Sequence, residues 1–305
     1  MKKRLLILVL TGILSQLSVF SQNDIQISNF MFCGQSYNPA FVGLTKVIDV
    51  SLLAREQWTD FSQAPSTQIL NFGNHTEYLG SFGLSIINDK LGYEKSINAR
   101  FIYAYPVHLS KNSVIHAGIG GGFINRSLDG ASLIYENKTE IDPDAIYNNI
   151  NEYNPTIDLG LVFSSQKLTL GLSATHLAKS RKSATFYDIS RHYYFFGSYI
   201  INASKNIDVV PSFHIKSNEI ITQYEANTNV IFENGEYWLG LSYRYNDAIV
   251  GLLGLKVHKS IKIAYSYDFD TGDIKLYNSG SHEIMIIASF NKPEKSYFKS
   301  PRIFN

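Results

Sequence analysis

The chain has 305 residues, 45% hydrophobic and 17% charged, with a formal net charge of +1, which excludes a disordered chain and a strongly basic nucleic-acid binder. Its 20 Tyr and 19 Phe stand beside only 8 Pro, a balance that favours strands. A single cysteine, Cys33, excludes an intramolecular disulfide and a CxxC metal site.

In chain order, Lys2, Lys3 and Arg4 precede an apolar run from Leu5 to Leu14, and Val19-Phe20-Ser21 suits cleavage before Gln22. Residues 1–21 therefore read as a secretory signal peptide, too short in its apolar core for a membrane-spanning helix. Cys33 lies too far beyond the cleavage site for a lipoprotein anchor. Residues 22–45 form a leader whose Phe30, Met31, Phe32 and Phe41 are unusual for a solvated segment, so it is expected to be a periplasmic leader or plug.

From residue 46 to residue 290, apolar and polar residues alternate with the period of strands, as in Ile261-Lys262-Ile263-Ala264-Tyr265-Ser266-Tyr267-Asp268. The runs cover 46–58, 65–76, 78–88, 95–109, 112–125, 154–164, 166–177, 190–203, 206–217, 219–233, 235–245, 247–257, 259–268 and 280–290. No later window has the roughly 18 uninterrupted apolar residues of a spanning helix, so any membrane crossing is by strands. The fold class is all-β: a transmembrane antiparallel barrel of about 14 strands, an even number as bacterial outer-membrane barrels require. Residues 291–305, with Lys292, Glu294, Lys295, Lys299 and Arg302, form a C-terminal tail expected in the periplasm.

The connections divide by parity. Those near Tyr78, Lys111, Gln166, Lys205, Asn234 and Lys259 are tight, whereas the alternate set includes the long ones at 59–64, 89–94, 126–153, 178–189 and 269–279, with short ones near Asn218 and Asn246. Outer-membrane barrels have short periplasmic turns and longer outer loops, which predicts extracellular loops and both termini in the periplasm.

Parity also divides the wall faces. Ile97, Ala99, Phe101, Tyr103 and Tyr105, then Leu168, Leu170, Leu172 and Ala174, then Tyr237, Leu239, Leu241 and Tyr243 form lipid-like faces. The opposite parity places Asp49, Ser51, Arg55, Gln57, Asn98, Arg100, Asp158, Gln223, Glu225, Asn227, Ser242, Arg244, Lys262, Ser266 and Asp268 in the lumen. Buried charges of both signs must be paired, solvated or covered, and structural pairing is favoured over a substrate site. An arginine placed at Leu170 or Leu241 is expected to cost far more than one at inward Ser173 or Ser242.

Chemical motifs are sparse. Gly118, Gly120, Gly121 and Gly122 lack the residues of a phosphate loop and read as a bend or close-packing site. There is no GxSxG and no HExxH, and inward His214 is the one candidate for a barrel hydrolase. Glu136, Glu140, Asp142 and Asp144 form an acidic group in the longest loop; calcium binding there is weighed against a solvated charged loop, which is favoured. No catalytic, cofactor or metal residue is assigned. The same loop carries Leu128, Leu133, Ile134, Tyr135, Ile141, Ile146 and Tyr147, more apolar surface than a tether needs, with Tyr135 and Tyr147 the candidate partner anchors and a mere lid over the lumen the equal alternative.

These features converge with a resemblance that runs nearly end to end: Phe30-Met31-Phe32 with Asn38-Pro39-Ala40-Phe41-Val42-Gly43, Arg55-Glu56-Gln57-Trp58 with Ala64-Pro65-Ser66-Thr67, Asn88-Asp89-Lys90-Leu91-Gly92, Asp142-Pro143-Asp144-Ala145, Trp238-Leu239-Gly240 with Ser242-Tyr243-Arg244, and Tyr265-Ser266-Tyr267-Asp268 before Gly280-Ser281-His282-Glu283. In these the chain resembles the PorP/SprF membrane proteins associated with type IX secretion. Cys33 stands where that pattern leads one to expect Asn. The resemblance implies a non-enzymatic outer-membrane barrel that supports export or surface attachment of particular cargo, such as a gliding-motility adhesin, and it carries no catalytic residues. Its implied partners are a cargo or adhesin C-terminal domain, other secretion components and outer-membrane lipid, with no nucleic acid. From the residues alone, an outer-membrane porin or solute channel is the rival.

Overall fold

The computed structural model describes residues 24–44, 47–76, 79–133, 146–178 and 189–290. Residues 1–21, read as a signal peptide, and the tail 291–305 lie outside them.

The alternating segments form β1 (Ile48–Glu56), β2 (Ser66–Thr76), β3 (Gly80–Leu91), β4 (Glu94–Ser110), β5 (Ser113–Leu128), β6 (Ile150–Ser165), β7 (Leu168–Thr175), β8 (His192–Tyr199), β9 (Ile201–Asn202), β10 (Ile207–Ser217), β11 (Thr222–Phe232), β12 (Tyr237–Arg244), β13 (Ala248–His258), β14 (Ile261–Asp270) and β15 (Ser281–Phe290). Each pairs antiparallel with its neighbour, and β1 pairs with β15 from Ile48 opposite Phe290 to Glu56 opposite His282. The short β9 continues β8 along β10, so the closed wall has fourteen positions. Closure satisfies the edge hydrogen bonds that lipid cannot.

Register fixes the faces as the alternation predicts. On β4, Asn98, Arg100, Ile102 and Ala104 are buried, while Ile97, Phe101 and Tyr105 are exposed on the outside, Phe101 to 76%. On β12, Trp238, Ser242 and Arg244 are buried, and Tyr237, Leu239, Leu241 and Tyr243 face outward. Aromatic pairs mark the rims, including Phe232 with Tyr237 and Phe82 with Tyr103.

Several boundaries differ from expectation; the connection read as the long loop 89–94 is a turn of two residues, Gly92 and Tyr93, between β3 and β4. β5 extends to Leu128 and β6 begins at Ile150, paired with each other, and β5 stays paired with β4 as far as Glu94, so part of the segment read as a loop is wall. Tyr153 therefore lies on β6, 70% exposed, rather than in the loop.

The leader is not a strand, and it lies inside the lumen. Three 3-10 turns, Phe30–Phe32, Gly34–Ser36 and Pro39–Phe41, fold it compactly. Asn38 starts the last of these by accepting from Ala40 N–H at 2.9 Å, with Pro39 pre-set for the first position. Phe30 and Ala40 are fully buried, and Cys33 is only 1% exposed. Phe30 and Tyr37 pack on Phe196 and His214, and Tyr37 also on Tyr194. Phe32 packs on Trp238 across the ring. Asp24 contacts His192 and Lys216, at the strand ends that carry the long loops, whereas Gly43 lies against His75 and Ser81 at the opposite end. The leader thus runs the length of the lumen before β1 begins.

Candidate functional site

The leader is held by the wall through three kinds of contact. The first is a row of small residues. A Cβ at Gly118 of β5 would meet Ala40 N at 2.4 Å, one at Gly160 of β6 would meet Asn38 Oδ1 at 2.0 Å, and one at Gly171 of β7 would meet Phe41 at 3.1 Å. These glycines are a trough for Asn38-Pro39-Ala40-Phe41, consistent with close packing at the Gly118 cluster. Asn38 Nδ2 reaches Leu161 O and Leu172 O, and Gln35 Nε2 donates to Phe72 O and Leu84 O at 2.9 Å each, so leader amides bind wall carbonyls.

The second contact is a buried ionic cluster near the long-loop end. Arg55 Nη2 is 2.8 Å from Asp268 Oδ2, and Arg244 Nη1 is 3.0 Å from the same oxygen. Arg55 also reaches Glu283 at 3.4 Å, while Arg244 Nε meets Glu225 at 3.1 Å and its Nη1 meets Asp247 at 3.1 Å. Carboxylates outnumber guanidinium groups here, and the leader supplies further donors. Ser28 and Asn29 give their backbone N–H groups to Glu283 at 2.9 and 2.7 Å, and Asn29 Nδ2 adds a third bond at 2.8 Å. Ser28 Oγ receives Arg55 Nη1 at 2.9 Å and Arg244 Nη2 at 3.0 Å. Charge-assisted bonds of this kind offset the desolvation that burial imposes.

The third contact is a second ion pair. Arg100 on β4 meets Asp158 on β6 at 2.6 Å, although β5 lies between them. Gly120 of β5, opposite Asp158, has no side chain there, and a Cβ on it would already touch the Asp158 side chain at 3.4 Å. Arg100 Nη2 then donates to Ser36 O of the leader at 2.7 Å.

The residues assigned to the lumen from sequence divide accordingly. Arg55, Arg100, Asp158, Glu225, Arg244 and Asp268 are buried and gather in the two clusters. Asp49 is half-buried and Lys262 exposed near the turn end, away from both. Tyr147 is 43% exposed in the β5–β6 connection; Tyr135 and the acidic group Glu136, Glu140, Asp142 and Asp144 fall outside the described residues. His214 is stacked between Phe30 and Tyr194, which leaves no room for a substrate beside its ring. The buried Cys33 Sγ lies 3.1 Å from Ser36 Oγ and 3.4 Å from Asn71 Nδ2.

Ser28, Asn29 and Glu283 do not stand out in the sequence as site residues. Parity along β15 does place Glu283 inward with Ser281 and Met285, a usable signal. The leader residues have no such signal, because a run of 3-10 turns has no period to read. The expectation that arginine costs much less at inward Ser173 or Ser242 than on the lipid face now has the leader and its neighbours to reckon with. Ser173 donates to Tyr37 O at 2.7 Å and Ser242 accepts from Asn227 at 2.8 Å, in a lumen the leader fills.

No curated protein matches the chain. Among solved structures, the monoaromatic hydrocarbon channel CymD aligns at 11% identity over 85% of this chain and 93% of its own, with a TM-score of 0.52. The Ralstonia pickettii toluene transporter TbuX aligns at 12% identity over 84% and 92%, with a TM-score of 0.51. At such identity the likeness speaks for the barrel fold alone. The model of the family described as type IX secretion system membrane protein PorP/SprF matches residues 19–287, nearly the whole barrel and the leader within it. With a closed fourteen-position wall, a lipid-like exterior and this match, the chain is an outer-membrane β-barrel that belongs to the PorP/SprF family of type IX secretion membrane proteins.

Proposed function

We propose that the protein is a non-enzymatic component of type IX secretion that supports export or surface attachment of specific cargo, such as a gliding-motility adhesin, by binding the cargo's C-terminal domain. In this reading the long loops are extracellular and the open ends of β1 and β15 face the periplasm. The observation that carries it is the filled lumen: the leader spans it from Asp24 to Gly43 and bonds to wall strands on opposite sides, including β2, β3, β6, β7, β14 and β15. A barrel whose lumen is occupied by its own leader is suited to presenting a surface rather than passing solutes. The long-loop end, with the β5–β6 connection and exposed Tyr147, offers a surface for a partner, and aromatic side chains are common anchors of binding energy.

The test replaces residues 129–149 with a short Gly/Ser linker that keeps the β5 and β6 strands. Heat-modifiable barrel should remain in the outer membrane while co-purification and surface display of the cargo are lost. Cargo captured and displayed at the unmodified level overturns the loop's role. Ion conductance by the purified wild type in a planar bilayer supports the channel alternative.

A further inference from the structure

Apart from the ion pairs that bind the middle of the leader, its start lies between two histidines. Asp24, His176 after β7 and His192 at the start of β8 each place one ligand-type atom within 4.8 Å of the others. Both imidazoles are oriented from behind. Thr156 gives its hydroxyl proton to Asp158 Oδ1 at 3.3 Å and so accepts from His176 Nδ1 at 3.1 Å. That leaves His176 Nε2 turned toward Asp24 Oδ2, 3.7 Å away. His192 Nδ1 lies 3.1 Å from Ser190 O, which can only accept, so Nδ1 carries the proton. The His192 Nε2 lone pair then faces the leader, where it accepts from Asp24 N–H at 3.2 Å. Tyr194 donates its hydroxyl to Asp24 Oδ2. Histidines that bind metals are held in this way, their outer N–H fixed by a carbonyl or a carboxylate relay so that the other nitrogen points at a shared centre.

We propose that Asp24, His176 and His192 form a three-ligand site for a divalent transition-metal ion, best matched by Zn2+, with solvent at the fourth position. Two imidazole nitrogens and one carboxylate oxygen suit Zn2+, whereas Ca2+ and Mg2+ take oxygen donors. His176 and His192 are buried, and Asp24 is half-buried, so a bound ion has limited competition from bulk water. The nearby Lys216 ammonium is held by Asp24 O at 3.0 Å and by Ile25 O and Gln26 Oε1 at 3.2 Å, which directs its charge to the leader's carbonyl side. Drawing the three ligands onto a metal requires them to close from within 4.8 Å of one another and Asp24 to release its N–H from His192. The ion would rivet the start of the leader to the long-loop ends of β7 and β8.

The test uses the full mature chain purified in detergent, stripped with EDTA and titrated with Zn2+ alone by calorimetry, with bound metal counted by elemental mass spectrometry. One Zn2+ per chain is expected, and a Co2+-loaded sample should show the visible bands of a tetrahedral site. Asp24→Asn, His176→Gln and His192→Gln should each weaken binding by about tenfold or more. His116→Gln, buried elsewhere in the wall, should leave binding unchanged. Each variant is first checked for heat-modifiable mobility. Because Asp24 is on the leader, Asp24→Asn tests the site without altering the wall, and Asp24→Cys, which restores an anionic ligand, should recover binding. A folded wild type that takes up no stoichiometric Zn2+ overturns the proposal, as does a folded Asp24→Asn variant that binds as tightly as wild type.

Discussion

Ser28, on the leader, donates its hydroxyl to Asp268 on β14 at 2.8 Å while accepting from Arg55 and Arg244. One small side chain therefore joins three wall charges, two cationic and one anionic. Removing a single member leaves an uncompensated charge in a buried site, so Asp268→Asn should destabilise by about 3–5 kcal/mol. Ser28→Ala, which deletes only the bridging hydroxyl, should cost about 1–3 kcal/mol. Urea titration of the folded, heat-modifiable form in detergent measures both, and equal costs for the two variants contradict this account of the cluster.

The glycine trough makes a sharper demand. Gly160→Leu places carbon where Asn38 Oδ1 now lies and should push the Asn38-Pro39 turn off the wall. The wall hydrogen bonds do not involve that side chain, so the barrel should still form. Planar-bilayer recordings should then show stepwise conductance in the variant and none in wild type; a silent variant argues that other leader contacts suffice to close the lumen.

Outside the barrel the rules are those of lipid. Leu241, 63% exposed on β12, should cost about 2–4 kcal/mol on replacement by arginine if it lies near the bilayer midplane. Inward Ser242 should be no kinder, for a different reason: its neighbourhood is filled. Lys262, exposed near the turn end, should accept arginine within about 0.5 kcal/mol. Refolding equilibria into bilayers rank the three, and a cheap Ser242→Arg shows an open lumen.

Cys33 reports on the leader directly, being the chain's single cysteine and only 1% exposed. In intact outer membranes a maleimide should leave it unlabelled, and boiling in detergent should expose it fully. Rapid labelling of the folded form shows a leader that spends time outside the lumen.

The wall is legible in the sequence because a barrel strand has one period and two solvents. Ile97 and Arg100, three residues apart, announce opposite faces through the alternation alone. Parity gives facing but not partners. That Arg55 meets Asp268 requires the β1–β15 seam and the β14–β15 pairing, which no local pattern encodes. Arg100 meets Asp158 across β5, where Gly120 lies against the Asp158 side chain, a relation visible once the strands are aligned. The leader reads as too apolar for solvent, but its direction does not read: proximity to β1 in sequence suggests the turn end, whereas Asp24 is bonded at the loop end.

The leader is the earliest described part of the chain, yet Glu283 and Asp268, which bind Ser28 and Asn29, belong to the last two strands. A finished ring would have to admit the whole segment endwise, past the Arg55 and Arg244 side chains. Wrapping the sheet around a leader already in place avoids that passage and lets the sealing of the β1–β15 seam coincide with its capture. The segment then acts as a former for the hoop that encloses it, and a barrel folded without it should accept the same peptide in trans only slowly, at a rate set by opening of that seam.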